Sequence, residues 1–213
     1  MARTKRNQAQ ARHSRIQPQM RKATIVHDGS AFQLATDLRQ YGFSVEEGPL
    51  LGRSDVHPEP GNLAIIATRA GAANSERLRD WARQLCWKGA AVLAVGASIA
   101  PVAELFGSTR SAAADNRVGG RLADIRSARQ GLFAELPSEF RLALPAGARF
   151  EHSDLSAEFS TTAWSRDGEL IGASHVFRPI HLLHPAALDS KEIRPVVLKN
   201  LLTLLRERGG RAF

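Results

Sequence analysis

The 213 residues are 43% hydrophobic and carry 29 Lys and Arg against 21 Asp and Glu, a formal net charge of +8. That apolar content supports one globular domain with its own core, while every apolar run is too short to span a bilayer. The single cysteine, Cys86, excludes an intrachain disulfide and fits a reducing, cytoplasmic compartment.

The charge is concentrated at the start of the chain. Residues 1–22 hold seven basic side chains and no acidic one, leaving 22 basic and 21 acidic residues in the rest. This Gln-rich, apolar-poor segment is predicted to be a disordered basic tail, in front of a nearly neutral domain spanning 23–213. A tail of this kind is a solvated extension, a weak polyanion-binding arm or an organelle-targeting segment. It lacks the apolar stretch of a secretory signal.

From Ala23 the chain alternates strand-like and helix-like segments. "ATIVH" reads as a strand, and "GSAFQLATDLRQYG" as a helix with Phe32, Leu34, Ala35 and Leu38 near one face, stopped by Gly42. "FSVEEG" reads as a second strand and "NLAIIAT" as a buried one. "NSERLRDWARQLCWKG" follows as an amphipathic helix capped by Asn74 or Ser75, then "AAVLAVG" as another buried strand. Strand and helix in this order predict a mostly parallel central sheet with helices on both faces, a flavodoxin-like α/β fold with ligands at the carboxyl ends of the strands. Further on, "EFSTTAWSRDGELIGASH" reads as two strands around Asp167-Gly168, and "VVLKNLLTLLRER" as a closing amphipathic helix.

The stretch 91–107, "AVLAVGASIAPVAELFG", has the layout of an active-site elbow. A short apolar strand runs into small residues and then into a helix with Val102, Leu105 and Phe106 on one face. Enzymes that hold a nucleophile on a strand-to-helix turn build it this way. "GASIA" is close to a serine-hydrolase elbow, so Ser98 acting with His184 is one reading, and Ser98 as the N-cap of the helix is the other. No cluster of Cys, His and carboxylates has metal-ligand spacing, so neither metal nor cofactor is expected.

Four stretches resemble class I glutamine amidotransferases, most closely the glutaminase subunits of anthranilate and aminodeoxychorismate synthases. "TAWSRDGELIGASH" is similar to the family's Ala-Trp-Thr-x-Asp-Gly-x-Ile-x-Gly-x-x-His segment, and "GLFAELPSEFR" to its Gly-Leu-Phe-x-Gly-Leu-Pro-x-x-Phe connection. "FEHSD" resembles Tyr-His-Ser-Leu, and "HLLHPAA" resembles Val-Gln-Phe-His-Pro-Glu-Ser. The resemblance runs from about Ala23 to Leu205 and implies the family's fold, a glutaminase site and a synthase partner.

The same alignment implies that the chemistry is missing. Gly96 stands where the family has its nucleophilic cysteine, and Ile99-Ala100 replace its His-Gln pair. Thr68-Arg69-Ala70-Gly71 replaces the Pro-Gly-Pro-Gly loop that helps form the family's oxyanion hole. His184 keeps the position of the general base, but the acid that orients it has become Ala186. His152 and Ser153 match pocket-shaping positions, and Arg69 projects a cation toward the pocket, so these three are the candidate ligand-binding residues. "VGGR" keeps one Gly and a basic residue of the family's Met-His-Gly-Lys. Cys86, ten positions before the elbow, reads as a buried thiol, and His27, His57 and His175 read first as structural or exposed residues. The expectation is a catalytically inactive, glutaminase-like subunit that binds a synthase partner. The alternatives are a polyanion- or nucleic-acid-binding protein acting through its tail, and a hydrolase using Ser98.

Overall fold

The computed structural model describes residues 21–27, 32–49, 62–68, 75–109, 120–146 and 149–209. Almost all of the basic segment lies outside them, as do Asp28, His57, Arg69 and Asn74. The described chain opens with strand β1 (Lys22–His27), helix α1 (Phe32–Gln40), β2 (Ser44–Pro49) and β3 (Leu63–Thr68). Helix α2 (Ser75–Trp87), β4 (Ala91–Gly96) and the short α3 (Ile99–Glu104) follow. The second half contains β5 (Arg121–Ser127), β6 (Glu139–Leu144), β7 (Phe159–Ser165), β8 (Leu170–His175), β9 (Ile180–Leu183), α4 (Pro185–Asp189) and α5 (Ile193–Gly209).

The nine strands make one sheet in the order β2-β1-β3-β4-β9-β8-β7-β5-β6. It is a mixed sheet, which corrects the expectation of a mostly parallel one. β2, β1, β3, β4 and β9 run parallel, and β8, β7, β5 and β6 join antiparallel to their neighbours. The reason is visible in the connections. Helices return the chain to the same end in the first half, whereas the tight turn at Asp167-Gly168 forces β8 to run back along β7.

β3 and β4 are apolar almost throughout because helices cover both faces of that half. One face packs under α2, which turns Leu78, Ala82, Leu85 and Cys86 inward, and under α3. The other packs under α1 through Leu34, Ala35 and Leu38, and under α5 through Val197, Leu198, Leu201 and Leu202. β5 instead alternates, with Ala123, Ile125 and Ser127 buried and Leu122, Asp124 and Arg126 exposed. Two of the quoted sequence stretches meet in space. A Cβ at Gly172 on β8 would overlap the Phe133 ring, so the glycine of "LIGASH" makes room for the aromatic of "GLF". Asn200 of α5 locks that corner by donating to the Leu132 carbonyl at 3.0 Å.

Candidate functional site

The candidate site lies where β3, β4 and β9 finish. Thr68 and Gly96 are register partners at the ends of β3 and β4, and His184 comes directly after β9. Gly96 has φ +72, the left-handed conformation of an elbow, which side chains other than glycine adopt only with strain. A Cβ at Gly96 would overlap the Thr68 carbonyl oxygen. That same oxygen accepts the Ala97 N–H at 2.8 Å. The position that could carry a nucleophile is thus filled by main chain, and the N–H following it is already bonded. Thr68 Oγ1 is buried beside them without a hydrogen-bond partner.

Ser98 stands at the start of α3 but makes no side-chain capping bond, which corrects the N-cap reading. Its hydroxyl is wholly buried, 2.7 Å from the Ile66 carbonyl and 2.9 Å from that of Val95, and it accepts the Val95 N–H at 2.9 Å. Ser98 therefore pins the turn to β3 and β4. The proton of this hydroxyl and one of its two acceptor sites are thus engaged inside the sheet.

His184 has two roles in local structure. Its Nδ1 accepts the Ala186 N–H at 3.2 Å and so caps α4, where Pro185 occupies the first turn. Because Nδ1 accepts an amide proton, the neutral ring carries its own proton on Nε2. Nε2 faces Glu169 Oε1 at 3.4 Å. Ala186 itself is buried and apolar. The histidine nevertheless has an acidic partner, supplied by the β7–β8 hairpin, which corrects the view that it lost its orienter.

Glu169 belongs to a chain of charges that the sequence did not reveal. Its second oxygen is 2.9 Å from Arg121 Nη2, which also reaches Asp167 Oδ1 at 2.8 Å. Arg149 continues the chain, bonding the Asp167 carbonyl and standing 3.4 Å from Glu151. Ser165 Oγ accepts the Glu169 N–H at 2.9 Å and donates to Asp167 Oδ1 at 2.6 Å, which shapes the hairpin turn. Burial raises the pKa of Glu169, but hydrogen bonds from His184 and Arg121, with the Arg121 charge, outweigh it and hold the carboxyl below its ordinary value. Burial likewise lowers the pKa of Arg121, and its bonds to Asp167 and Glu169 more than offset that.

His152 and Ser153 sit in an exposed 3-10 turn, His152–Asp154, beside this hairpin. The His152 N–H donates to the Gly168 carbonyl at 3.0 Å, and its ring tilts over Trp164 with centroids 6.1 Å apart. Ser153 Oγ is 3.4 Å from Glu151. These two residues border the charge chain, and Pro185 borders the elbow, its Cγ 4.0 Å from where a Gly96 Cβ would lie. Cys86 is buried on α2 with its thiol pushed up to about 12, chiefly by burial. His175 is buried, its Nε2 3.0 Å from Glu158 and its Nδ1 accepting two backbone N–H groups. Both are remote from the elbow, consistent with structural roles. Arg69, the remaining predicted ligand-binding residue, lies outside the described residues. Among the described residues no group of three His, Cys, Asp or Glu could hold a metal ion, and no helix is long and apolar enough to cross a membrane.

No family model matches the sequence. Solved structures do match its fold. A protein from Thermoplasma acidophilum, assigned to GMP synthase as one of its subunits, superposes with a TM-score of 0.71 at 18% identity, over 90% of this chain and 96% of that one. A glutamine amidotransferase from Thermotoga maritima gives 0.64 at 16% identity, over 91% and 99%. A ThuA-like protein from Bacteroides uniformis gives 0.61 at 14% identity, over 87% and 91%. The chain therefore has the α/β fold of glutamine amidotransferase-type structures.

Proposed function

We propose that this protein is a catalytically inactive glutaminase-like subunit that serves a synthase partner as a structural or regulatory component. The observation that carries this reading is the elbow. Gly96 provides no side chain to attack a carboxamide, and the Thr68 carbonyl takes both the space of a Cβ and the Ala97 N–H. An acyl-transfer site needs a nucleophile and free N–H donors aimed at the developing oxyanion. His184 retains a carboxylate partner in Glu169, yet one of its nitrogens caps α4 and the other faces that carboxylate. Among the described residues no thiol or hydroxyl hydrogen-bonds to His184.

What supports a binding role is the integrity of the scaffold, since a fold by itself fixes no function. The elbow and the hairpin are held by buried hydrogen bonds although no reaction requires them. A synthase of the chorismate-using or another amidotransferase class is the partner that this scaffold fits, and it would draw its ammonia from solution or another glutaminase.

Affinity purification of the tagged full-length protein from its native cell, with mass spectrometry of what is retained, tests the assignment. A stoichiometric synthase or amidotransferase is the expected result. Retention of nucleic-acid-associated proteins alone would contradict it and favour the second reading, polyanion binding through the acid-free segment 1–22. In that case deleting residues 1–22 abolishes the retention.

A further inference from the structure

We propose that the end of the sheet opposite the elbow is a self-association surface, on which a second copy of this chain docks about a two-fold axis. Three large apolar side chains stand in solvent there: Phe177 is 77% exposed, Trp87 59% and Val176 47%. Val176 and Phe177 lie in the connection from β8 to β9, and Trp87 ends α2 just ahead of β4. β4 and β9 run parallel, so this patch sits where they begin, whereas Gly96 and His184 sit where they finish. The surface leaves the candidate site uncovered. Isolated exposed apolar residues need no explanation, but a contiguous aromatic group does.

The patch is held in place by its own contacts. Trp87 stacks on Phe106 with centroids 5.8 Å apart, and Phe106 meets His175 edge-on at 4.7 Å. His175 Nδ1 accepts the N–H of Phe177 at 3.0 Å and that of Arg178 at 3.2 Å, which fixes the turn that presents Phe177. An aromatic side chain presented on a fixed backbone loses little entropy on docking.

Charge identifies the occupant. The Arg178 guanidinium lies over the Trp87 ring at 5.2 Å and the Phe106 ring at 5.9 Å, and donates to the Cys86 carbonyl at 3.2 Å. Among the described residues it has no carboxylate partner. Beyond the other nitrogen of the His175 ring, the half-exposed Glu158 meets Nε2 at 3.0 Å, and its backbone carbonyl accepts the Val176 N–H at 2.9 Å. The apolar side chains are therefore accompanied by a cation with no carboxylate partner among the described residues and by a half-exposed carboxylate. A patch of one sign would call for a partner of the other sign. This patch is complementary to itself, because a two-fold copy sets Arg178 of each protomer against Glu158 of its mate, with Val176 and Phe177 between them.

Sedimentation equilibrium of the purified full-length protein tests the proposal, with tryptophan emission reporting that each variant is folded. The wild type is expected to dimerise. Phe177→Ser should weaken the dimer at least about tenfold, because it removes the central anchor. Arg178→Glu and Glu158→Arg should each be monomeric alone, and an equimolar mixture of the two should restore the dimer, since charge pairs are then re-formed across the interface. A wild type that stays monomeric at all concentrations would overturn the proposal and point to a different occupant. A dimer indifferent to Phe177→Ser would overturn it as well. Failure of the mixture to associate would overturn the two-fold charge pairing.

Discussion

On the β3–β4 side of the candidate site, geometry is fixed by backbone atoms and one buried hydroxyl, with no charged side chain among the described residues of the elbow. On the β7–β8 side, Glu169, Arg121, Asp167 and Arg149 form a continuous chain of charges that ends on His184. The elbow keeps its shape through the Thr68 carbonyl bound to the Ala97 N–H and the Ser98 hydroxyl bound to Ile66 and Val95. None of those bonds involves a reactive side chain. The shape of an elbow is therefore separable from any chemistry on it: main-chain bonding and one buried hydroxyl hold the turn with glycine at its apex. The charged side has no comparable independence, because the buried Glu169 relies on Arg121 and His184.

Substitutions on each side should separate the two kinds of support, and the largest effect is expected at the elbow. Gly96→Cys adds a Cβ against the Thr68 carbonyl at a positive φ, and should cost about 3–5 kcal/mol in urea denaturation. Next comes Arg121→Met, which leaves the buried Glu169 with the neutral His184 ring as its remaining partner. A loss of about 2–3 kcal/mol is expected, and Glu169→Leu in the same chain should recover part of it. Ser98→Ala removes the buried hydroxyl that ties the turn to Ile66 and Val95, whose backbone groups keep their places in the β3–β4 ladder, and should cost about 1 kcal/mol.

The smallest effect is a pH dependence. The folded-state pKa of Glu169 is depressed, so its stabilising contribution is present above the unfolded value of about 4.3 and fades as pH falls through the folded value. Glu169→Gln should therefore flatten the acid limb of the stability curve below about pH 5 and leave the limb near neutrality parallel to that of the wild type. An unchanged acid limb would show that the charge chain does not distinguish folded from unfolded chain.

The elbow was legible because its signal is local. Ala91 to Val95 form an unbroken apolar run, and the small residues after it leave a tight turn as the only continuation. Both strands of the β7–β8 hairpin were legible for the same reason, through Asp167-Gly168. The partnership of Glu169 with His184 was not, since the residues lie in separate segments and only the antiparallel addition of β8 to β9 brings them together. β5 and β6 escaped because their alternation is blurred: Leu122 is apolar but exposed, and Ser127 is polar but buried. Ser98 reads as a cap because a serine ahead of a helix has that role in local sequence terms. Its bond to Ile66, 32 positions earlier, is a tertiary fact.

The most direct test of the central claim is ammonia release from glutamine by the purified full-length protein, wild type and Gly96→Cys side by side. Rates equal to the buffer background for both are expected, because the thiol alone restores neither a free N–H at Ala97 nor room beside Thr68. Glutamine-dependent ammonia release by the wild type would contradict the claim of inactivity, and release by Gly96→Cys would contradict the explanation of why the elbow is silent.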